Sequence, residues 1–241
     1  MRTLLIELKK CRRSGVILTM LSVGILGALY AFINFIIRKN SLLSLPLPPM
    51  VILMTQLYGM IMVLNLFAIV VATCMIYNIE HNGDALKKMY MLPVKVTGIY
   101  LWKFIIMLVL LAICIVIQNI ALACIGSTML PSGEFELYTL IKFTMYSFLT
   151  SLPVMALMLL VSSRFENMWI TLGIGVAGFF SGMIMAFGNS KLFLSNPFVL
   201  IMKPAFSPTV SLDYTIITMS IIETIIFLVI GLWLIKHVRY E

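Results

Sequence analysis

Long continuous apolar runs, separated by short polar intervals, set the pattern of this chain. A helix that crosses the hydrocarbon core of a bilayer, about 30 Å thick, needs about 20 mostly apolar residues. Six stretches meet that requirement, at roughly 16–37, 51–77, 98–125, 138–162, 168–188 and 214–235. The second and third exceed a minimal span, which predicts tilt or extension beyond the bilayer. The runs are continuous rather than alternating, and helices satisfy their own backbone polar groups in lipid. The pattern therefore predicts an all-α membrane protein with six transmembrane helices, an interfacial helix ahead of the first, and both termini cytoplasmic. The first run is expected to remain as an anchor. It is too long for a signal-peptide core, Arg38 and Lys39 follow it, and no clear small-x-small site ends it.

Composition sharpens the class. Of 241 residues, 62% are hydrophobic and 11% charged, against roughly 45–50% and about 25% in ordinary globular chains. Mean hydropathy is +1.10. Too few polar residues remain to cover a soluble surface, which excludes a soluble enzyme, a disordered chain and a secreted disulfide scaffold. The net charge of +8 would suggest nucleic acid in a soluble protein. Here it reflects the gathering of Lys and Arg in cytoplasmic loops, and no nucleic-acid partner is expected.

With the N-terminus inside, the inner segments hold Arg2, Lys9, Lys10, Arg12, Arg13, Lys87, Lys88, Lys95, Arg164, Lys236 and Arg239. The outer segments hold Arg38, Lys39, Lys191 and Lys203, while Lys103 and Lys142 sit near span ends. That bias supports the orientation. Cys11, Cys74, Cys114 and Cys124 lack CxxC spacing and read as small apolar residues. His81 and His237 are too few for a His-based metal cluster, and no metal or cofactor site is expected in the chain. The longest connection, 189–213, cannot hold a soluble catalytic domain, and no Gly-x-x-x-x-Gly-Lys-Ser/Thr occurs. The chain is not expected to be an enzyme. Any ATP-driven activity needs ATP and Mg on a separate ATPase.

Before the first span, Leu4, Leu5, Leu8 and Cys11 share one helical face, with Lys9, Arg12 and Arg13 off it. Such a helix can lie in the cytoplasmic interface with its cations at the headgroups. Between spans two and three, Asp84–Tyr90 can form a short helix. Asp84 suits its N-terminal dipole, Asp84–Lys88 is a favourable i,i+4 pair, and Pro93 stops it. Leu86, Met89 and Tyr90 give it an apolar patch, and Lys87 and Lys88 add charge. An ordinary solvated loop is the bland reading; a docking helix is the functional one.

Glu80 closing the second span, Gly83, Leu86, Met91-Leu-Pro-Val94 and Lys103 opening the third resemble the pattern of type-2 ABC transporter permeases. The resemblance extends over nearly the whole chain and most closely suits the permease subunits of lantibiotic and bacteriocin self-protection exporters. It implies a single permease domain over 1–241 in the bacterial cytoplasmic membrane. It implies a coupling helix on cytoplasmic ABC ATPase subunits, involving Glu80, Gly83, Asp84, Leu86, Lys87, Lys88, Met89, Tyr90 and Pro93. A second permease copy or a sister permease would complete the path, and a cationic peptide or other amphipathic cargo would leave the bilayer through it.

The outer loop 189–213 is too apolar to float free. Asn196 can cap a short helix with Pro197 at its first position, and Pro204 is expected to end it. In the resembled family this region is re-entrant near the outer gate, which points to Phe193, Asn196, Pro197 and Phe198; a surface-lying loop is the alternative. In span five, Gly178 and Gly182 form a small-xxx-small pair serving close packing within the chain or dimerisation. Pro153 predicts a kink in span four.

Glu223 lies near the middle of span six, where a charge costs roughly 2.5–3.5 kcal/mol or more. It is held protonated by desolvation, pairs with a neighbouring helix, with Asn65 at similar depth as the candidate, or faces a transport path and attracts a cationic substrate. Gln118 and Asn119 lie further out along the same candidate path. The leading function is an ATP-driven exporter subunit. A proton-coupled secondary transporter, and an ABC exporter of another lipid or drug cargo, are the alternatives. An intramembrane serine enzyme built on Phe180-Ser181-Gly182 lacks a histidine within any span.

Overall fold

A computed structural model describes residues 2–81, 96–131, 133–188, 191–206 and 213–237. Six helices are long and apolar enough to cross a membrane, and no strand occurs among the described residues. The chain opens with α1 (Arg2–Ser14) and the first span α2 (Val16–Leu43). The second span is assembled from α3 (Pro49–Ile52), a widened π turn (Leu53–Leu57) and α4 (Tyr58–His81). Spans three to five are α5 (Val96–Met129), α6 (Leu137–Ser162) and α7 (Met168–Ala186). A 3-10 turn (Lys191–Ser195) and the short α8 (Pro197–Phe206) lead to the sixth span, α9 (Tyr214–His237).

Local chemistry explains the helix starts. Gly15 sits at φ 78, a left-handed conformation open to glycine, and turns the chain sharply from α1 into α2. Ser14 Oγ donates to the Cys11 carbonyl and accepts from the Val16 N–H, serving the orphaned groups on both sides of the bend. Asn167 caps α7 through the Trp169 N–H, and Asp213 caps α9 through the Thr215 N–H. α5 is about 51 Å long at 1.5 Å per residue, so its 34 residues exceed the bilayer core, in line with the length of its apolar run.

The core lies between α4, α5 and α6, whose spans are the most buried. α2 packs along α5 and α4, and α9 packs along α6. The outward faces of α2, α7 and α9 are apolar, with Ile37, Ile184 and Ile225 among the exposed side chains. In water such faces would be untenable at this scale; in lipid they carry no penalty.

Pro204 does not end α8, which continues through it to Phe206. Helix α8 is almost wholly buried, with Phe198, Val199, Leu200, Ile201 and Met202 each at most 5% exposed. It packs against α6, α7, α4 and the π turn. This is an embedded helix, not a surface loop. The Gly178/Gly182 pair is occupied within the chain: a Cβ at Gly178 would strike the Phe198 ring, and one at Gly182 would stand 2.7 Å from Phe198 Cβ and 3.0 Å from its carbonyl oxygen.

Candidate functional site

At the α1 end of the bundle four charged side chains meet. Glu80 ends α4 and Lys103 lies two turns into α5, and their residues are 3% and 0% exposed. Lys103 Nζ stands 2.7 Å from Glu80 Oε2. It also donates to the Ile76 carbonyl at 3.1 Å and lies 3.9 Å from the centre of the Tyr77 ring. From α1, Lys10 Nζ reaches Glu80 Oε1 at 3.0 Å and Glu7 Oε1 at 2.7 Å. The result is a chain of alternating charge, Glu7–Lys10–Glu80–Lys103, that ties three helices together. Breaking a buried pair strands a charge and costs about 3–5 kcal/mol, so the arrangement fixes geometry even where it adds little net stability.

Burial alone would lower the Lys10 pKa, but the carboxylates of Glu7 and Glu80 outweigh it and hold the value above the ordinary lysine range. Burial pushes the neighbouring Cys11 thiol up to about 11. The network also sets the rotation of α1. Glu7 and Cys11 face inward, while Ile6, Leu8, Lys9, Arg12 and Arg13 are exposed. Of the expected Leu4, Leu5, Leu8 and Cys11 face, Cys11 is buried, Leu4 half-buried and Leu8 exposed. Beside the network, a shallow crevice with no room for a water lies between the ends of α4 and α6, lined by Tyr77, Asn78, Ser162 and Glu166 among others.

Glu80 and Val96 flank the segment 82–95. The expected coupling residues Gly83, Asp84, Leu86, Lys87, Lys88, Met89, Tyr90 and Pro93 lie outside the described residues.

A second polar junction lies deeper. Asn65 of α4 and Gln118 of α5 exchange two hydrogen bonds, Asn65 Nδ2 to Gln118 Oε1 at 2.9 Å and Gln118 Nε2 to Asn65 Oδ1 at 2.7 Å. Gly27 of α2 admits the Gln118 side chain, since a Cβ there would stand 2.8 Å from Nε2. The structure thus corrects two expectations. The partner of Asn65 is Gln118, not Glu223, and Gln118 lies level with Asn65 rather than further out. An amide pair is self-sufficient, with each partner supplying a donor and an acceptor. Asn119 donates to the Ile115 carbonyl at 2.9 Å, and its Oδ1 is buried without a partner.

Glu223 lies on α9, which packs mainly along α6, and is 8% exposed, with Oε2 buried and without a hydrogen-bond partner. On the opposite side of the bundle from α1, Asn196 Oδ1 accepts from the Phe198 N–H at 3.0 Å, with Pro197 as the first helical residue, as the spacing predicts. Phe193 lies against Gly188. Phe193, Asn196, Pro197 and Phe198 therefore form one cluster beneath the end of α7.

Sequence reasoning flagged Glu80 and Lys103 separately. It missed that they form one ion pair and that Glu7 and Lys10 join it. A glutamate at an apolar span's end and a lysine two turns inside the next were the available signal.

Six long apolar helices, with an N-terminal helix clipped to spans two and three, define a multi-pass membrane protein. The family model described as ABC-2 family transporter protein matches residues 3–182, from α1 through most of α7. The chain belongs to that family. It is a multi-pass membrane component of an ABC transporter, and membership implies an ABC ATPase as its partner. No curated protein and no solved structure matches the chain.

Proposed function

We propose that the chain is the permease subunit of an ATP-driven exporter that expels cationic, membrane-active peptides such as lantibiotics from the bacterial cytoplasmic membrane. The α1 face then lies in the cytoplasm, as the Lys and Arg of the α1 side favour. ATPase subunits dock on 82–95, with Asp84–Tyr90 as the coupling helix. A second permease copy or sister permease completes the path.

The observation that carries this reading is the ion-pair chain flanking 82–95. Glu80 and Lys103 clamp the helix that enters the segment to the helix that leaves it. Lys10 ties α1 to the same point. A push on 82–95 is therefore delivered to three helices together and not absorbed by a loose loop. On the far side, Phe193, Asn196, Pro197 and Phe198 form the outer gate. Between the two, Glu223, Asn65, Gln118 and Asn119 supply the polar groups of the path, and Glu223 supplies the negative charge that recognises a cationic cargo.

The test uses tagged full-length chain purified from its native membranes. A P-loop ATPase should copurify, and replacing Asp84–Tyr90 by a Gly/Ser linker should abolish it. Undiminished copurification would remove the docking role. Cells carrying the intact chain should also survive higher concentrations of the lantibiotic nisin than cells lacking it; equal survival would remove the peptide cargo.

A further inference from the structure

Helix α1 divides its charge between two opposite faces. Contacts settle the inner one: Lys10 Nζ reaches Glu80 Oε1 at 3.0 Å and Glu7 Oε1 at 2.7 Å, and Glu7 and Cys11 are buried. At about 100° per residue, Lys9, Arg12 and Arg13 then fall within about 100° of arc opposite Glu7. All three are exposed. No ion pair among the described residues includes any of them, and Glu7 is the one acid in the Arg2–Ser14 sequence. The outward face of α1 is therefore cationic and uncompensated.

That face is also continuous with lipid. Ile6 and Leu8, both exposed, border the cationic arc on either side. Gly15, at φ 78, joins α1 directly to α2. Leu18, in the first turn of α2, is 74% exposed, and Ile25, Leu29 and Ile36 continue its outward row at helical spacing. Arg12 and Arg13 thus stand within about one turn of the start of a lipid-facing span. A guanidinium presents paired N–H donors that match a phosphate, and cations at the border of an anionic leaflet attract its headgroups. An acidic protein surface would answer the charge but not the apolar borders that run on into the span.

We propose that the outward face of α1 binds the headgroup phosphates of anionic phospholipids through Lys9, Arg12 and Arg13, and that the clip from Lys10 to Glu80 presents this face to them. The clip fixes the rotation of α1 and so gathers the three cations on the side where lipid lies. By linkage, a lipid that binds the clipped helix better also favours the clip. The clip ends on the Glu80–Lys103 pair that flanks 82–95, so anionic lipid steadies the junction of α1, α4 and α5. The surface is independent of the cargo and of the direction of transport.

The test titrates the full chain in detergent with dioleoyl phosphatidylglycerol and with dioleoyl phosphatidylcholine, counting bound lipid by native mass spectrometry. The anionic lipid should bind more tightly. Lys9→Gln/Arg12→Gln/Arg13→Gln should weaken it by roughly 100-fold and leave the zwitterionic lipid unaffected, while Arg12→Lys/Arg13→Lys should keep most of the preference. Equal binding of the two lipids, an unchanged triple variant, or displacement by inorganic phosphate at the same concentration as by lipid would overturn the proposal. A measurement on the unaltered chain stands beside these: nanodiscs containing phosphatidylglycerol should raise the thermal midpoint over phosphatidylcholine discs in dilute salt, and the gain should shrink in 1 M salt, where screening is strong. A gain indifferent to salt would refute a headgroup contact. The clip is tested by Glu80→Gln/Lys103→Met, which leaves net charge unchanged. It should bind phosphatidylglycerol more weakly than wild type; undiminished binding would remove the clip from the proposal.

Discussion

Replacing Glu80 by Gln tests whether burial or mere proximity governs the charge network. The substitution keeps the shape and removes the charge. Lys103, with its side chain 1% exposed, would keep the Ile76 carbonyl, the Tyr77 ring and the field of the Glu7 carboxylate but lose the carboxylate it is paired with. Stranding a buried charge costs about 3–5 kcal/mol. At about 2–4 °C per kcal/mol for a chain of this size, the thermal midpoint in nanodiscs should fall by about 6–20 °C. Lys10→Met removes a partner whose side chain is 31% exposed, and pairs nearer the surface contribute about 1 kcal/mol or less. Its midpoint should fall by no more than about 4 °C. The double variant Glu80→Gln/Lys103→Met removes both buried charges and should recover most of the loss, since apolar replacement of a whole buried pair is often neutral. A Lys10→Met effect equal to that of Glu80→Gln, or a double variant no better than the single, would refute the reasoning.

Three other outcomes follow from the packing. Maleimide at neutral pH should label Cys124, which is exposed, and leave the buried Cys11, Cys74 and Cys114 unlabelled until detergent denaturation. For Cys11 the raised value favours the neutral thiol of the fold, so this contribution is intact below the ordinary thiol range and lost as the pH climbs to about 11; labelling of Cys11 should appear only there. Gly178→Ala should cost about 1–3 kcal/mol of stability and be relieved by Phe198→Ala, because it meets the ring; Gly182→Ala should cost as much and not be relieved, because it also meets the Phe198 backbone. Asn65→Ala should cost about 1–3 kcal/mol by stranding the Gln118 amide, and Asn65→Ala/Gln118→Ala should cost less than the sum of the two singles, read from thermal midpoints.

Much of the fold is legible in the order of residues because lipid imposes a one-dimensional rule. A helix must be apolar for the thickness of the bilayer, so six long runs become six helices with little shift in their bounds. Caps are equally local, and Asn196 holding Phe198 needs only residues two apart. Apolar periodicity could not orient α1, because its rotation is set by Glu80, 70 residues distant from Lys10. Nor could depth alone pair Asn65, whose amide has its complement 53 residues away.

The sequence by itself determined the class, the number of spans, the residues too polar for their surroundings and the Asn196 cap. Only the tertiary structure decided which of those polar residues satisfy one another. Asn65 meets Gln118, Glu80 meets Lys103 and Lys10, and Phe198 fills the Gly178–Gly182 notch. Glu223 remains buried with one carboxyl oxygen unpartnered. The physical reason is that hydropathy places a residue along the membrane normal, whereas a hydrogen bond or ion pair requires two helix rotations and a packing partner that no local pattern encodes.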